Sequence, residues 1–236
     1  MKSLVLCLLV MAGGALAHAA PPHASAVHVD HLILGTRDLD EGLRRFEERT
    51  GVRPIPGGEH PGRGTRNALV SLGPGLYIEI LAPQASAPDS GRVPELRALT
   101  DLVPYGWAVF VGDVDTARRR LADAGLGLSE IQPGSRARPD GSRLQWTTFE
   151  IEKPKIAGIP FFIRWGEGTT HPSQDSPAGC RLQRLRAVTP DDDAMRRALA
   201  ALPLDVAVEA GPRAGLDITL ECPKGTVRFR DQGVGK

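Results

Sequence analysis

One unit is written three times along this chain: an apolar strand, an aspartate-bearing turn, then an amphipathic helix. It reads HLILGTRDLDEGLRRFEERTGV, then WAVFVGDVDTARRRLADAGLGL, then RLRAVTPDDDAMRRALAALPL, with Asp38, Asp113 and Asp191 in corresponding places. The interval, about 75 residues, is too long for a solenoid, whose repeats run to roughly 50 residues at most. It fits a body assembled from duplicated modules, and it raises the question of what the modules enclose.

In the first copy, residues 27–34 alternate as a strand with both faces covered, and Asp38 caps a helix over 39–49 that Gly51 stops. Residues 54–64 read as a Pro/Gly-rich loop, and 66–72 and 76–81 as strands joined by Gly73-Pro74-Gly75; with 27–34 these are three strands of a module expected to be β-α-β-β-β. A linker over 84–104 carries a short helix near 95–101. The second copy, 105–172, is expected to place a helix at 114–124 and strands at 128–132, 143–151 and 159–165, with a turn at Pro139-Asp140-Gly141. Residues 179–230 read as a partial third unit, βαββ, that extends or edges the same sheet.

The ends and composition bound the setting. Lys2, the apolar run 4–16 and small residues around Ala17, Ala19 and Ala20 read as an export signal occupying residues 1–20. Its apolar run is too short to span a bilayer, and no later run is longer. A periplasmic or secreted protein is therefore expected. Cys180 and Cys222 would remain after cleavage; a disulfide and two separate buried thiols are both open. A formal net charge of +1 gives no support to nucleic-acid binding, and no nucleotide cofactor is expected.

Strand parity locates the chemistry, because side chains two apart share a face. Val29, His31 and Ile33 are expected on one face and Leu32 and Leu34 on the other; Tyr77, Glu79 and Leu81 separate in the same way from Ile78 and Ile80. The aliphatic sets belong on the helix, which leaves His31 and Glu79 on the concave face. An imidazole and a carboxylate there can ligate a divalent metal, or simply bond to each other. In the loop GGEHPGRGTRNAL, His60 and Asn67 bracket glycines; His60 is a candidate third ligand or general base, or a solvated turn residue.

These segments, together with LYIEILAP, GSRARPDGSRLQW and PFFIRW followed by His171-Pro172, resemble the glyoxalase-like domain family of the vicinal oxygen chelate superfamily. The resemblance covers about 27–172 and extends more weakly to Gly179. It implies an α+β fold in which tandem βαβββ modules curve into a half-open barrel around a cavity. Metal ligands in that superfamily come from the first and last strands of each module, positions that His31 and Glu79 fill here. The second module departs from the pattern: aligning Asp113 with Asp38 sets Gly106 or Trp107 where His31 stands, and aligning the last strands sets Arg164 opposite Glu79. A four-ligand site is therefore not expected. Arg164 would either hold a substrate carboxylate or pair with Glu79 across the cavity.

The expected protein is an exported small-molecule enzyme of lyase, isomerase, hydrolase or dioxygenase type, monomeric or homodimeric, acting on an oxygen-rich substrate. His60 and Glu79 are its candidate catalytic groups. His31, Glu79 and His60 are candidate ligands for Fe, Mn, Ni or Zn, with Asn67, Tyr77, Trp107 and Arg164 contacting substrate. The competing expectation is a module that binds and sequesters a small molecule without metal or turnover.

Overall fold

The computed structural model describes residues 27–138 and 141–230. The expected export signal over 1–20 lies outside the described residues, as do Pro139 and Asp140 of the expected turn. The first module runs β1 (Val27–Gly35), α1 (Leu39–Thr50), β2 (Ile55–His60), β3 (Thr65–Ser71) and β4 (Tyr77–Pro83). A connection holding α2 (Val93–Arg97) leads to β5 (Val103–Val111), α3 (Val114–Asp123), β6 (Gly127–Leu128), β7 (Gln132–Ala137), β8 (Arg143–Phe149), β9 (Ile151–Lys153) and β10 (Phe161–Trp165). Beyond α4 (Pro172–Asp175) come β11 (Arg181–Thr189), α5 (Asp192–Ala201), β12 (Ala207–Ala210), β13 (Gly215–Cys222) and β14 (Gly225–Arg230).

The aspartates explain where the first two helices start. Asp38 accepts a hydrogen bond from the Glu41 amide at 2.9 Å, and Asp113 from the Thr116 amide at 3.0 Å, each satisfying one of the free N–H groups of a first helical turn. Gly51 ends α1 in the left-handed conformation, with φ 79°. Asp191 differs: it makes no cap bond to α5 and accepts instead from the Ala157 amide at 2.9 Å, tying the third unit to the second module.

Eight strands form one curved sheet in the order β2-β3-β4-β1-β5-β10-β8-β7. The order reads the same outward from the antiparallel β1/β5 pair in both directions, the signature of duplicated modules related by a local twofold. Two strands appear where the sequence predicts otherwise. Residues 55–60, expected as loop, form β2, and 132–137, expected largely as connection, form β7; these are the two outermost strands. An edge strand tolerates proline and glycine because one row of its backbone groups needs no partner, so Pro56-Gly57-Gly58 and Pro133-Gly134 conceal strands without breaking them.

The two edges nearly meet. A Cβ on Gly58, whose φ is 134°, would lie 2.9 Å from the Ala137 carbonyl oxygen, so only glycine permits this approach of β2 to β7. The sheet is consequently a nearly closed barrel.

Its outer face carries the core. Leu32, Ile78, Trp107 and Val109 share a buried cluster with Phe46 of α1 and with Ile218, Leu220 and Phe229 of the third unit. Fully burying a side chain such as Leu32 or Ile78 stabilises the fold by about 1.5–3 kcal/mol. The third unit does not extend the first sheet: it closes its own, in the order β12-β11-β13-β14, and packs that sheet against the outer face, where Phe46 and Phe229 stack at 5.8 Å. Cys180 and Cys222 are joined by a disulfide.

Candidate functional site

The inner face of the barrel lines a cavity of about 570 Å³ with two unlike walls. The first module supplies His31, His60, Asn67, Tyr77 and Glu79 with Ile33 and Leu81; the second supplies Leu144, Trp146, Phe161, Ile163 and Trp165, with Gln132, Arg136, Thr148, Glu150 and Glu152 as polar groups among them.

His31 reaches the cavity through a defect in β1. Val29 pairs with Val109 and His31 with Ala108, leaving Asp30 as an extra residue with no partner on β5. This bulge reverses the strand's alternation. Val29, expected on the face of His31, therefore packs with the outer core, while Asp30 and His31 are both drawn inward. Asp30 is fully buried: Oδ1 lies 2.6 Å from His31 Nδ1, and Oδ2 accepts from Trp165 Nε1 at 2.9 Å and contacts His171 Nε2 at 3.2 Å. Burial works to raise its pKa, but the bonds to His171 and His31 and their charges outweigh it and hold the carboxyl well below its usual range. With an ionised acceptor at Nδ1, the His31 proton sits there and Nε2 faces the cavity. Tyr77 stacks on the His31 ring at 4.7 Å and Phe161 meets its edge at 5.5 Å, fixing the ring plane.

Glu79 stands one register step along the neighbouring strand, opposite Ile33 as Tyr77 is opposite His31. Its Oε2 is 3.7 Å from His31 Nε2 and its Oε1 3.6 Å from His60 Nε2; Asn67 Nδ2 donates to Oε1 at 2.6 Å. Glu79 is 7% exposed. Burial pushes its pKa up, yet His60, His31, the Asn67 bond and Arg136 together leave it below the ordinary value, so it is a carboxylate at neutral pH. His60 ends β2, where its Nδ1 is 2.9 Å from Thr65 Oγ1 across the hairpin and Asn67 Nδ2 approaches Nε2 at 3.3 Å. Burial lowers the His60 pKa, with Arg136, Arg63 and His31 adding to the effect and Glu79 opposing it. The neutral ring thus carries its proton toward Thr65 and offers a lone pair at Nε2. Burial likewise raises the Tyr77 phenol, with the charges of Asp30 and Glu79 in support, so it stays protonated.

His31, His60, Asn67, Tyr77 and Glu79 are thus brought together as the sequence leads one to expect. Trp107 and Arg164 are not. Trp107 pairs with Leu32, lies in the outer core and donates to the Gly158 carbonyl at 2.9 Å; the inward residue is Gly106. Arg164 lies between the inward Ile163 and Trp165, and its guanidinium sits 5.7 Å from the Phe110 ring, outside the cavity. The pairing of Ala108 with Phe161 repeats that of Ile33 with Glu79, so Phe161 is the counterpart of Glu79. The expected alignment was three residues out, and an odd slip exchanges faces.

The buried cation of this cavity is Arg136, on the unforeseen strand β7; Arg63 and Arg92 also line the cavity but are exposed. Arg136 is 3% exposed, and its Nη1 is buried without a hydrogen-bond partner, as is Asn67 Oδ1. Gly57 makes room for both: a Cβ there would lie 2.4 Å from Asn67 Oδ1 and 3.0 Å from Arg136 Nη1.

A divalent metal fits this arrangement poorly as it stands. Among the described residues no group of three or more His, Cys, Asp or Glu side chains is placed to hold one. One Glu79 oxygen is already bonded to the Asn67 amide.

Comparison with known proteins identifies the family and the fold. The family profile described as "Glyoxalase-like domain" matches residues 29–203. A hypothetical protein from Staphylococcus aureus superposes with a TM-score of 0.60 at 16% identity, over 87% of this chain and 85% of that one, which shows the fold alone. A Streptomyces coelicolor methylmalonyl-CoA epimerase variant bound to 2-nitronate-propionyl-CoA gives 0.43 at 18% identity, over 60% of this chain and 97% of that one. The Mycobacterium tuberculosis methylmalonyl-CoA epimerase gives 0.44 at 18% identity, over 63% and 92%. No curated protein matches. The chain belongs to the glyoxalase-like domain family.

Proposed function

We propose that the protein is a small-molecule enzyme that moves a proton on an oxygen-rich substrate, in the manner of isomerases and lyases. The observation that carries this reading is the buried, ionised Glu79 set between two imidazoles whose far nitrogens are tied to Asp30 and Thr65. His60 Nε2 is the base: a neutral imidazole with its lone pair in the cavity accepts a proton, and the adjacent Glu79 carboxylate stabilises the imidazolium that forms. His31 and Tyr77 steady the substrate oxygen on which charge develops, and the aromatic wall keeps water away from it. Incubating the protein in D2O with a panel of 2-oxo and 2-hydroxy acids, with proton NMR following the hydrogen beside the carboxylate-bearing carbon, tests this. Exchange in the wild type that is lost in His60→Ala and Glu79→Gln supports it, and no exchange across the panel removes it.

Two further readings have an observation behind them. His31 Nε2 and His60 Nε2, 3.7 and 3.6 Å from the two Glu79 oxygens, are the donor types of a divalent-metal site if Glu79 gives up its bond to Asn67. Gly106 and Phe161, standing where the first module has His31 and Glu79, leave the second module without those two ligand types, as suits a sequestering module. Tight binding without deuterium exchange would favour the latter.

Export is part of the proposal. The disulfide between Cys180 and Cys222 suits an oxidising compartment. Fractionation of cells making the full chain, with the mature N-terminus sequenced, tests it.

A further inference from the structure

Arg136 is a fully buried guanidinium to which the proton-transfer reading gives no task. Among the described residues it makes no ion pair and no hydrogen bond, and its Nη1 has no partner. Burying an arginine without a bonded counter-ion is costly, and such a group persists where an anion completes it. Glu79 compensates it only at longer range.

Its surroundings define what that anion is attached to. Arg136 pairs with Leu144, and two residues back on the same face Gly134 pairs with Trp146. The Trp146 indole lies flat against Gly134, where a Cβ would stand 2.3 Å from its Nε1, and it meets Trp165 edge-on at 5.8 Å. Trp165 is pinned in turn by its bond to Asp30. A guanidinium therefore opens beside a pair of fixed indoles, with Phe161 and Ile163 continuing the apolar wall.

We propose that Arg136 anchors a carboxylate of the ligand while the wall of Trp146, Trp165 and Phe161 takes a flat apolar group, so the ligands of this cavity are aryl-bearing carboxylic acids. One fork-shaped donor matches one carboxylate. A dianionic phosphate fits less well, because Glu79 shares the cavity and the two further arginines of its lining, Arg63 and Arg92, are exposed to water, which screens them. The inference rests on reading this cavity as the active site, but it does not depend on proton transfer.

Calorimetry with phenylacetate, acetate, 2-phenylethanol and inorganic phosphate tests it on the intact mature protein. Phenylacetate is expected to bind at least about tenfold more tightly than acetate or 2-phenylethanol, the scale of one charge-assisted bond or one buried ring. Arg136→Gln is expected to weaken phenylacetate by about ten- to a hundredfold and leave 2-phenylethanol unchanged, with Arg136→Lys between the two. Equal binding of the acid and its alcohol, equal binding to wild type and Arg136→Gln, or phosphate matching phenylacetate would overturn the proposal. The acid-to-alcohol ratio in the wild type decides it even if Arg136→Gln does not fold. Glu79→Gln separates the two readings: it is expected to keep phenylacetate binding while losing deuterium exchange. Anchoring without exchange in the wild type would therefore end the proton-transfer reading and leave this one standing.

Discussion

Asp30 Oδ1 lies 2.6 Å from His31 Nδ1 although the two are neighbours in one strand, whose successive side chains ordinarily point to opposite faces. The bulge that makes this contact possible orients the imidazole that meets Glu79 and, through Trp165 and His171, fastens the first module to the second.

Asp30→Asn should therefore act on the site more than on the core. Carboxylates that orient a functional imidazole are typically worth about ten- to a hundredfold in activity or affinity. A loss of that size in Glu79-dependent exchange is expected, together with histidine nitrogen shifts showing that His31 no longer holds its proton at Nδ1. An unchanged tautomer would show that Asp30 does not position the ring. Folding also lowers the Asp30 pKa, so its contribution to stability is fully present above the unfolded value of 3.8 and is lost as pH falls from there toward the folded value. Thermal melts from pH 7 to pH 3 should fall more steeply in the wild type than in Asp30→Asn.

What the sequence made legible follows from where each strand sits. The strands β1 and β4 are central, buried on both sides, and their aliphatic alternation reveals which residues face inward: His31 and Glu79 meet as their parity requires. Asp38 and Asp113 likewise mark real helix starts. The edges β2 and β7 carry Pro56, Gly57, Gly58, Pro133 and Gly134, which read as turns because an edge strand is released from the composition rules of a central one. Arg136 stands on such an edge, where local composition does not mark it; the one signal pointing to it is the alternation Gly134, Arg136 beside Trp146. The bulge at Asp30 is invisible to any periodicity argument, since an inserted residue is what breaks the period. Aligning β10 with β4 by their sequence ends sets Arg164 opposite Glu79, whereas the pairing of β10 with β5 sets Phe161 there.

The pH response of His60 separates burial from charge. Burial and the neighbouring cations lower its pKa from the ordinary 6.5, while Glu79 raises it. Its imidazole should titrate below 6.5 by NMR, and Glu79→Gln should move the titration lower still. A rise in that variant would show that Glu79 does not face the ring. Because folding favours the neutral form, this contribution to stability is full above pH 6.5 and is lost as pH falls through the folded value. Exchange that uses His60 as base should decline over the same window.

Metal content decides between proton transfer by the side chains alone and metal-assisted chemistry. Protein purified without chelator and reloaded with Mn, Fe, Ni or Zn should contain substoichiometric metal by elemental analysis if the Glu79–Asn67 bond persists. Asn67→Ala, which frees the Glu79 oxygen, should not raise the content on this reading. One equivalent of metal in the wild type, lost in both His31→Ala and Glu79→Ala, would establish the alternative.

Gly57 is the smallest change that tests how the edges build the site. It is the extra residue where β2 slips against β3, between the pairs Pro56–Ala68 and Gly58–Asn67, and a Cβ there would collide with Asn67 Oδ1 and crowd Arg136 Nη1. Overpacking of this kind typically costs about 1–3 kcal/mol. Gly57→Ala should therefore lower the unfolding free energy by about that amount in denaturant titration. The obstruction lies against the two side chains rather than in the outer core, so phenylacetate binding should weaken in protein that is still folded. Gly62→Ala supplies the comparison: its φ of 72° is strained for alanine too, but nothing lies within 4 Å of the added carbon. Its cost should be backbone strain of about 1 kcal/mol, and although Gly62 borders the cavity the loss of binding should be smaller than in Gly57→Ala. If both variants lose binding equally, the effect comes from a loosened hairpin, and the close packing of Gly57 against Asn67 and Arg136 is not what holds the anchor in place.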